Sequence, residues 1–248
     1  MRATFLITTL LVGKVTFGQP ATRPKALVYR GPAACDGCPE AVAALLKSSP
    51  SNFDVKFAGP QEEVDITATS LGGVQLYAQP GGGDLDPAWV GTKKYKNILR
   101  DFVARGGRYA GFCLGAFLAG SGPGFELLPL GSDTDEEITQ PKAQVTNDSD
   151  TVIQVDWHFQ TGSRKGHRQN GRWLYFQDGA VMKLARNTSA IVLGTYSSNG
   201  DVAASITPLG KGWVGLVGPH PEADESWCKS CLAPLSVHPE IQEYFFTF

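Results

Sequence analysis

A cysteine and a histidine–glutamate pair are the residues of this chain whose types and spacing could do chemistry. Cys113 stands between two glycines in GFCLG (111–115), and His220 and Glu222 lie in GPHPE (218–222). Flanking glycines allow the sharp strand-to-helix turn of a nucleophile elbow, and a helix start favours thiolate over thiol. A cysteine nucleophile needs a base, and the base needs an orienting acceptor. The sequence therefore predicts a Cys113–His220–Glu222 triad.

A purely structural interpretation of the same residues stays open. Cys113 could be a small buried residue in a tight turn, and His220 could be a loop histidine beside a capping carboxylate, Glu222. A domain that keeps the elbow but has lost turnover is a further alternative. These interpretations differ in one property, the reactivity of the thiol.

The other four cysteines form two C-x-x-C pairs, Cys35 with Cys38 and Cys228 with Cys231. In an oxidising compartment such cysteines form disulfides, which would leave Cys113 as the free thiol that a nucleophile requires. Four cysteines allow three pairings, so local and cross-linked arrangements both stay open. A four-cysteine zinc site and a thioredoxin-like redox pair are the remaining alternatives. We favour disulfides and predict no metal site.

The first 18 residues predict a secretory signal peptide. An early arginine precedes a short apolar stretch, and small residues follow near Gly18. This stretch is too short to span a bilayer, and no later segment is a candidate. Asn147 and Asn187 stand in N-glycosylation triplets, which agrees with secretion. We therefore expect a secreted protein whose residues 19–248 form a single domain.

Composition and charge exclude some classes of partner. The 248 residues carry a formal net charge of −2, and the sequence pI is about 6.1. Charges of both signs are spread along the chain, so there is no electrostatic case for binding nucleic acid or an anionic membrane. The length suits one large α/β domain with a full core.

Strand and helix patterns alternate as far as residue 120. The strand-like segments in this half are 26–30, 53–58, 73–78 and 108–112, and the helical ones are 39–47 and 93–105. This alternation predicts a mainly parallel, doubly wound sheet with helices on both faces. In the second half, strand-like segments follow one another with short turns between them, at 152–160, 173–176, 180–184, 190–196, 202–208 and 212–217. These predict added antiparallel strands. A polar loop is expected at 162–171 and a short helix at 239–246.

In combination, the motifs resemble the class I glutamine amidotransferase-like superfamily, and most closely the N-terminal domain of fungal biotin-protein ligases. The likeness extends from about Ala26 to Glu222. It rests on LVYRGP (27–32), QPGGGD (79–84), GFCLGA (111–116), GFE (124–126) and GPHPE (218–222). The resemblance implies a flavodoxin-like α/β fold. Because a ligase catalytic domain does not fit into the remaining length, it also implies a stand-alone domain.

The resemblance assigns a role to each triad residue. In the superfamily the elbow cysteine attacks a carbonyl carbon, the histidine holds the proton, and the glutamate orients the histidine; here these are Cys113, His220 and Glu222. The glycine loop after the third strand supplies donors for the oxyanion. The matching backbone N–H groups in this chain are those of Gly82, Gly83 and Leu114.

One departure from the superfamily changes the expected activity. Members that hydrolyse glutamine usually have a glutamine four residues after the nucleophile, and this chain has Phe117 there. An apolar ring cannot hydrogen-bond an amino-acid head group. We therefore expect a cysteine hydrolase or acyltransferase that acts on an amide, ester or peptide bond without a cofactor. The substrate, a small molecule or peptide, and the oligomeric state are left open. The alternatives are a catalytically inactive binding domain and a disulfide-linked extracellular factor.

Overall fold

Apolar runs and alternating apolar residues build the strands of a large sheet. The computed structural model describes residues 22–160 and 165–228. The strands there are β1 (Lys25–Tyr29), β2 (Asp54–Ala58), β3 (Leu76–Gln79), β4 (Arg108–Phe112), β5 (Asp133–Glu136), β6 (Thr151–His158), β7 (Arg168–Phe176), β8 (Ala180–Lys183), β9 (Ile191–Tyr196), β10 (Val202–Leu209) and β11 (Gly212–Val217). The α-helices are α1 (Cys38–Ser48), α2 (Ala68–Gly72), α3 (Leu85–Thr92), α4 (Lys96–Ala104) and α5 (Leu114–Phe117), with 3-10 turns at Lys93–Tyr95 and Glu137–Thr139.

The first half of the sheet is parallel. Its strand order is β2-β1-β3-β4-β11, and each neighbouring pair in this part runs in the same direction. This is the 2-1-3-4-5 order of flavodoxin-like folds, with β11 as the fifth strand. The predicted doubly wound, mainly parallel sheet is confirmed. Because β4 and β11 are neighbours, the segments that follow their carboxyl ends meet at the same edge of the sheet.

Antiparallel strands extend the sheet beyond β11 in the order β10-β9-β6-β7. This agrees with the predicted C-terminal half, with two corrections. The segment predicted at 180–184 leaves the main sheet: β8 pairs with β5 in a separate two-stranded sheet. The last four residues of the loop predicted at 162–171 belong to a strand, because β7 begins at Arg168 and pairs with β6.

Helices cover both faces of the parallel half. Ala26 and Val28 of β1 pack in one apolar cluster with Val42 of α1. Leu27 of the same strand belongs to a second cluster with Leu99 of α4. Successive strand residues point to opposite faces, so the two clusters are the two sides of a doubly wound sheet.

The predicted helix at 93–105 is interrupted: a 3-10 turn at 93–95 precedes α4. Helices α2 and α3 were not predicted. The predicted signal peptide, the predicted helix at 239–246 and Cys231 all lie outside the described residues. No helix within 22–160 or 165–228 has both the length and the apolar character needed to cross a bilayer.

Candidate active site

Cys113 occupies a sharp turn between β4 and α5. Its backbone has φ 48° and ψ −108°, a conformation that non-glycine residues rarely adopt and that costs on the order of 1 kcal/mol or more. The flanking glycines are required here: a Cβ on Gly111 would overlap the carbonyl of Gly115, and one on Gly115 would overlap the carbonyl of Gln79. The thiol is buried. This is the backbone geometry of a nucleophile elbow.

The helix after the elbow is shorter than expected. α5 has four residues, a single turn. Few peptide dipoles are therefore aligned behind Cys113, and the helix contributes little to stabilising a thiolate. The charge that acts on this thiol has to come from a side chain.

That side chain is His220, which lies just after β11. Its Nδ1 is 2.8 Å from Oε1 of Glu222, and both side chains are almost fully buried. The backbone N–H of His220 donates to the carbonyl of Tyr175 at 2.9 Å, which fixes the chain at this point. The imidazole also contacts the rings of Tyr175 and Trp227, with centroid distances of 5.5 and 5.3 Å. The ring is thus held on several sides.

Gly81 marks the place where Cys113 and His220 meet. A Cβ on Gly81 would lie 2.5 Å from Cε1 of His220 and 3.0 Å from Cβ of Cys113. The absence of a side chain at residue 81 therefore lets the imidazole and the thiol approach. Cys113 also donates its S–H to the carbonyl of Gln177 at 3.7 Å. The structure brings all three predicted triad residues together.

The environment of His220 favours its protonated form. Burial by itself lowers the pKa of His220, but attraction to Glu222 and Cys113, with hydrogen bonds to both, raises this pKa to about 10. An imidazole in this state is charged at neutral pH. It can therefore act as a proton donor beside Cys113.

The three candidate oxyanion donors lie on two turns that border the cavity of Cys113. Gly82 and Gly83 have φ values of 105° and 79°, so this loop depends on glycine. Leu114 directly follows Cys113, and its N–H is at a helix start, where no intrahelical acceptor exists. In the described part of the chain, none of the three N–H groups donates to a backbone carbonyl in a loop or turn. All three residues line one cavity with Cys113.

Cys35 and Cys38 form a local disulfide. Their sulfurs are bonded to each other, so they cannot be two ligands of a zinc ion. Cys228 is disulfide-bonded as well, whereas Cys113 is the free cysteine among the described residues. The disulfide loop supports the glycine loop, since the N–H of Cys35 donates to the carbonyl of Gly81 at 3.0 Å.

The cavity in front of Cys113 has a volume of about 570 Å³. Phe117 lines it. The residues that line the cavity and were not assigned to it from the sequence are Asp84, Leu85, Asp86, Glu136, Asp148, Tyr175, Gln177, Asp178 and Trp227. Tyr175 lies in the segment at 173–176, which was predicted only as a strand.

The two glycosylation candidates are accessible. The side chains of Asn147 and Asn187 are both exposed. The Asn147 amide oxygen accepts from the N–H of Ser149, so it already forms a local turn. Their modification stays a prediction.

A model of a known protein family matches the part of the chain that contains the glycine loop and the elbow. Residues 25–140, slightly less than half of the chain, match the N-terminal domain of biotin-protein ligase. This segment is related to that domain. It contains the glycine loop and the elbow, whereas His220 and Glu222 lie beyond it. No curated protein matches the sequence.

Solved structures share the fold at low sequence identity. A ThuA-like protein from Bacteroides uniformis is 13% identical, with a TM-score of 0.50, 84% of this chain covered and 86% of the other. A cytoplasmic protein from Salmonella typhimurium is 11% identical, with a TM-score of 0.51 and coverages of 84% and 91%. The β-galactosidase from Bacillus circulans sp. alkalophilus is 13% identical, with a TM-score of 0.46. The match covers 79% of this chain and 28% of that enzyme.

Proposed function

We propose that this protein is a cysteine hydrolase or acyltransferase that cleaves an amide, ester or peptide bond. The observation that carries the proposal is the meeting of Cys113 and His220 at Gly81, with Glu222 2.8 Å behind the imidazole. A strained elbow, a buried imidazole with a raised pKa and a buried carboxylate form the nucleophile, acid–base and orienting parts of a triad. We also infer the wider relation to class I glutamine amidotransferase-like proteins.

In the first half of the proposed reaction, the Cys113 thiolate attacks the acyl carbon, and the carbonyl electron pair moves onto oxygen. The N–H groups of Gly82, Gly83 and Leu114 stabilise this oxyanion. When the tetrahedral intermediate collapses, the C–N or C–O bond breaks and His220 gives its proton to the leaving group. The acyl group remains on the sulfur as a thioester.

In the second half, water or another acceptor attacks the thioester carbon. His220, now neutral, takes the proton of the attacking group, and Cys113 leaves as a thiolate. The products are the free or transferred acyl group and the starting imidazolium–thiolate pair. Glu222 keeps the imidazole oriented and stabilises its positive charge in both halves.

The local Cys35–Cys38 disulfide supports a second part of the proposal, that the chain is secreted after removal of residues 1–18. A reporter fusion of those residues tests this part directly. The fusion should appear in the medium, cleaved near Gly18, whereas retention of an uncleaved fusion inside the cell would contradict it.

The catalytic proposal is tested with p-nitrophenyl acetate, a small activated ester. We expect nitrophenol release and an acetyl group on Cys113, located by peptide mass spectrometry. Cys113→Ser should abolish both, and His220→Asn should slow acetylation by about 100-fold. His158→Asn, which changes a histidine outside the cavity, is the matched control. If Cys113 is not acetylated and reacts with iodoacetamide no faster than a model thiol, the catalytic proposal is wrong.

A further inference from the structure

Apart from His220, the charged groups of the active-site cavity are acidic. Five carboxylates line this cavity: those of Asp84, Asp86, Glu136, Asp148 and Asp178. They come from the start of α3, the end of β5, the loop before β6 and the loop between β7 and β8. Among the described residues, no lysine or arginine lines the same cavity. A chain with nearly balanced charge therefore concentrates negative charge around its candidate nucleophile.

In the part of the chain that the structure describes, these five carboxylates have no cationic partner. Within 22–160 and 165–228, none of them forms an ion pair. Elsewhere the protein does pair its acids: Glu62 contacts Arg30 at 2.7 Å, and Glu126 contacts Lys96 at 2.6 Å. In addition, Oδ1 of Asp178 is buried and has no hydrogen-bond partner among the described residues. No donor of the described protein therefore offsets its charge, and a cation bound in the cavity would do so.

Asp178 lines the same cavity as Cys113. Its neighbour Gln177 accepts the S–H of Cys113 through the backbone carbonyl, and Asp178 follows with a left-handed φ of 46°. Burial, together with repulsion from Glu136 and Asp148, raises the pKa of Asp178 to about 6. The repulsion means that three carboxylates from three segments act on the same volume. A cation bound there would be attracted to all three carboxylates and would offset their mutual repulsion.

We propose that the substrate carries a positive charge close to its acyl group, and that it is an amide or ester with an ammonium or guanidinium group, as in lysyl and arginyl compounds. Asp178 would bind this group, and Asp148 and Glu136 would add to the attraction. Leu85 and Phe117 supply apolar surface for the aliphatic stem of such a side chain. This inference rests on the proposed function for its chemistry, although the charge of the cavity can be tested separately.

The charge preference can be measured without turnover by using Cys113 as a probe. Methanethiosulfonates with a cationic trimethylammonium-ethyl or an anionic sulfonatoethyl group form a mixed disulfide with a thiolate and release methanesulfinate. At low salt, we measure the rate constant of each reagent with the protein and subtract the rate constant measured with Cys113→Ser. The ratio of the cationic to the anionic rate constant is then divided by the same ratio for 2-mercaptoethanol, which gives the corrected ratio. The corrected ratio is expected to favour the cation by about tenfold and to fall in high salt.

Variants that each remove one carboxylate show which acids cause the preference for the cationic reagent. Asp178→Asn and Asp148→Asn should each lower the corrected ratio by about threefold. Asp54→Asn removes an equal charge from an exposed position of β2, outside the cavity, and should leave the ratio unchanged. A ratio near one in the unmodified protein, or an equal response to Asp54→Asn, would overturn the proposal.

Substrate hydrolysis then separates this proposal from the proposed function. N-acetylated p-nitrophenyl esters of lysine, norleucine and glutamate share a backbone and differ in side-chain charge. We expect kcat/KM to fall by about tenfold or more from lysine to norleucine, and further for glutamate. A cation-preferring thiol with no hydrolysis of any ester would support the charged site and contradict the enzyme. Hydrolysis without a preference for lysine would support the enzyme and contradict the cationic substrate.

Discussion

Glu222 controls the charge of His220 because both side chains are buried and face each other. Oε1 of Glu222 is 2.8 Å from Nδ1 of His220, and Oε2 has no hydrogen-bond partner among the described residues. Little competes with the imidazole for this negative charge, and the surrounding protein screens it weakly. The carboxylate therefore holds a proton on the imidazole that burial alone would remove.

Replacing Glu222 by glutamine should lower the pKa of His220 from about 10 by one unit or more. The sign follows because the neutral amide no longer stabilises the imidazolium, whereas the desolvation cost of burying it remains. NMR of protein labelled at its histidine nitrogens measures the midpoint directly. Asp224→Asn removes an exposed carboxylate two residues after Glu222 and should leave the midpoint of His220 unchanged. An unchanged midpoint in Glu222→Gln would remove Glu222 from the triad.

Gly81→Ala should reduce acetylation of Cys113 by p-nitrophenyl acetate by at least about tenfold. The added Cβ would lie 2.5 Å from Cε1 of His220 and 3.0 Å from Cβ of Cys113, so the two side chains must separate. Gly72→Ala is the control, since a Cβ there meets no atom within 4 Å. Equal rates in the two variants would show that the contact between imidazole and thiol is not needed for acylation.

At the scale of elements, the site depends on contact between two loops. The loop after β1 carries the Cys35–Cys38 disulfide, and the loop after β3 carries the glycines. Cys35 donates its N–H to the carbonyl of Gly81, and a Cβ on Gly82 would overlap Cys35. The disulfide loop thus limits the positions that the glycine loop, with its proposed oxyanion donors, can adopt.

Removing the disulfide with Cys35→Ala and Cys38→Ala together should slow acetylation of Cys113 by about tenfold, because the glycine loop loses its support. The cost in unfolding free energy should be limited to about 2 kcal/mol, since the bridge closes a short loop. Acetylation kinetics and urea unfolding measure the two effects. Asp36→Ala changes the same loop and keeps the bridge, so its acetylation rate and unfolding free energy should be close to those of the unmodified protein. A double variant with full activity would assign the disulfide to stability alone.

The sequence predicts some elements and misses others for physical reasons. β4 and the elbow are predictable because an apolar run ends in small residues that fit only a tight turn. α3 is not, because its sequence LDPAWVGT contains a proline and shows no clear apolar stripe. β5 reads DTDE, which is unfavourable for a strand, and it forms one by pairing with β8.

At the scale of the whole molecule, the sequence predicts that Cys113 and His220 meet, but it does not predict that Asp148 and Asp178 line the same cavity. Cys113 and His220 follow β4 and β11, and neighbouring parallel strands bring such residues together. Asp148 and Asp178 lie on loops of the antiparallel half. Their positions depend on how that half folds back over the sheet edge, which local spacing does not specify.

Glu137 connects the turn after β5 with the turns that follow β7 and β9. It lies in the 3-10 turn after β5, is fully buried, and accepts a hydrogen bond from the Asn199 amide at 2.7 Å. Its N–H donates to the carbonyl of Gly179, beside Asp178. Burial, aided by Asp201 and opposed by the Asn199 hydrogen bond and by Lys183, raises the pKa of Glu137 to about 7. The folded protein therefore favours the protonated carboxyl.

This raised pKa makes stability fall with rising pH. The contribution of Glu137 is complete below about pH 4.5, where the unfolded chain also binds the proton, and is lost as pH rises through 7. Urea unfolding at pH 5 and pH 8 measures how much unfolding free energy the unmodified protein loses between these pH values. Glu137→Gln has a neutral amide that needs no proton, so its loss should be smaller by up to about 3 kcal/mol. Exposed Glu63→Gln should follow the unmodified protein. If Glu137→Gln kept the full pH dependence, Glu137 would already be ionised in the fold, and its buried oxygen would need a cationic partner.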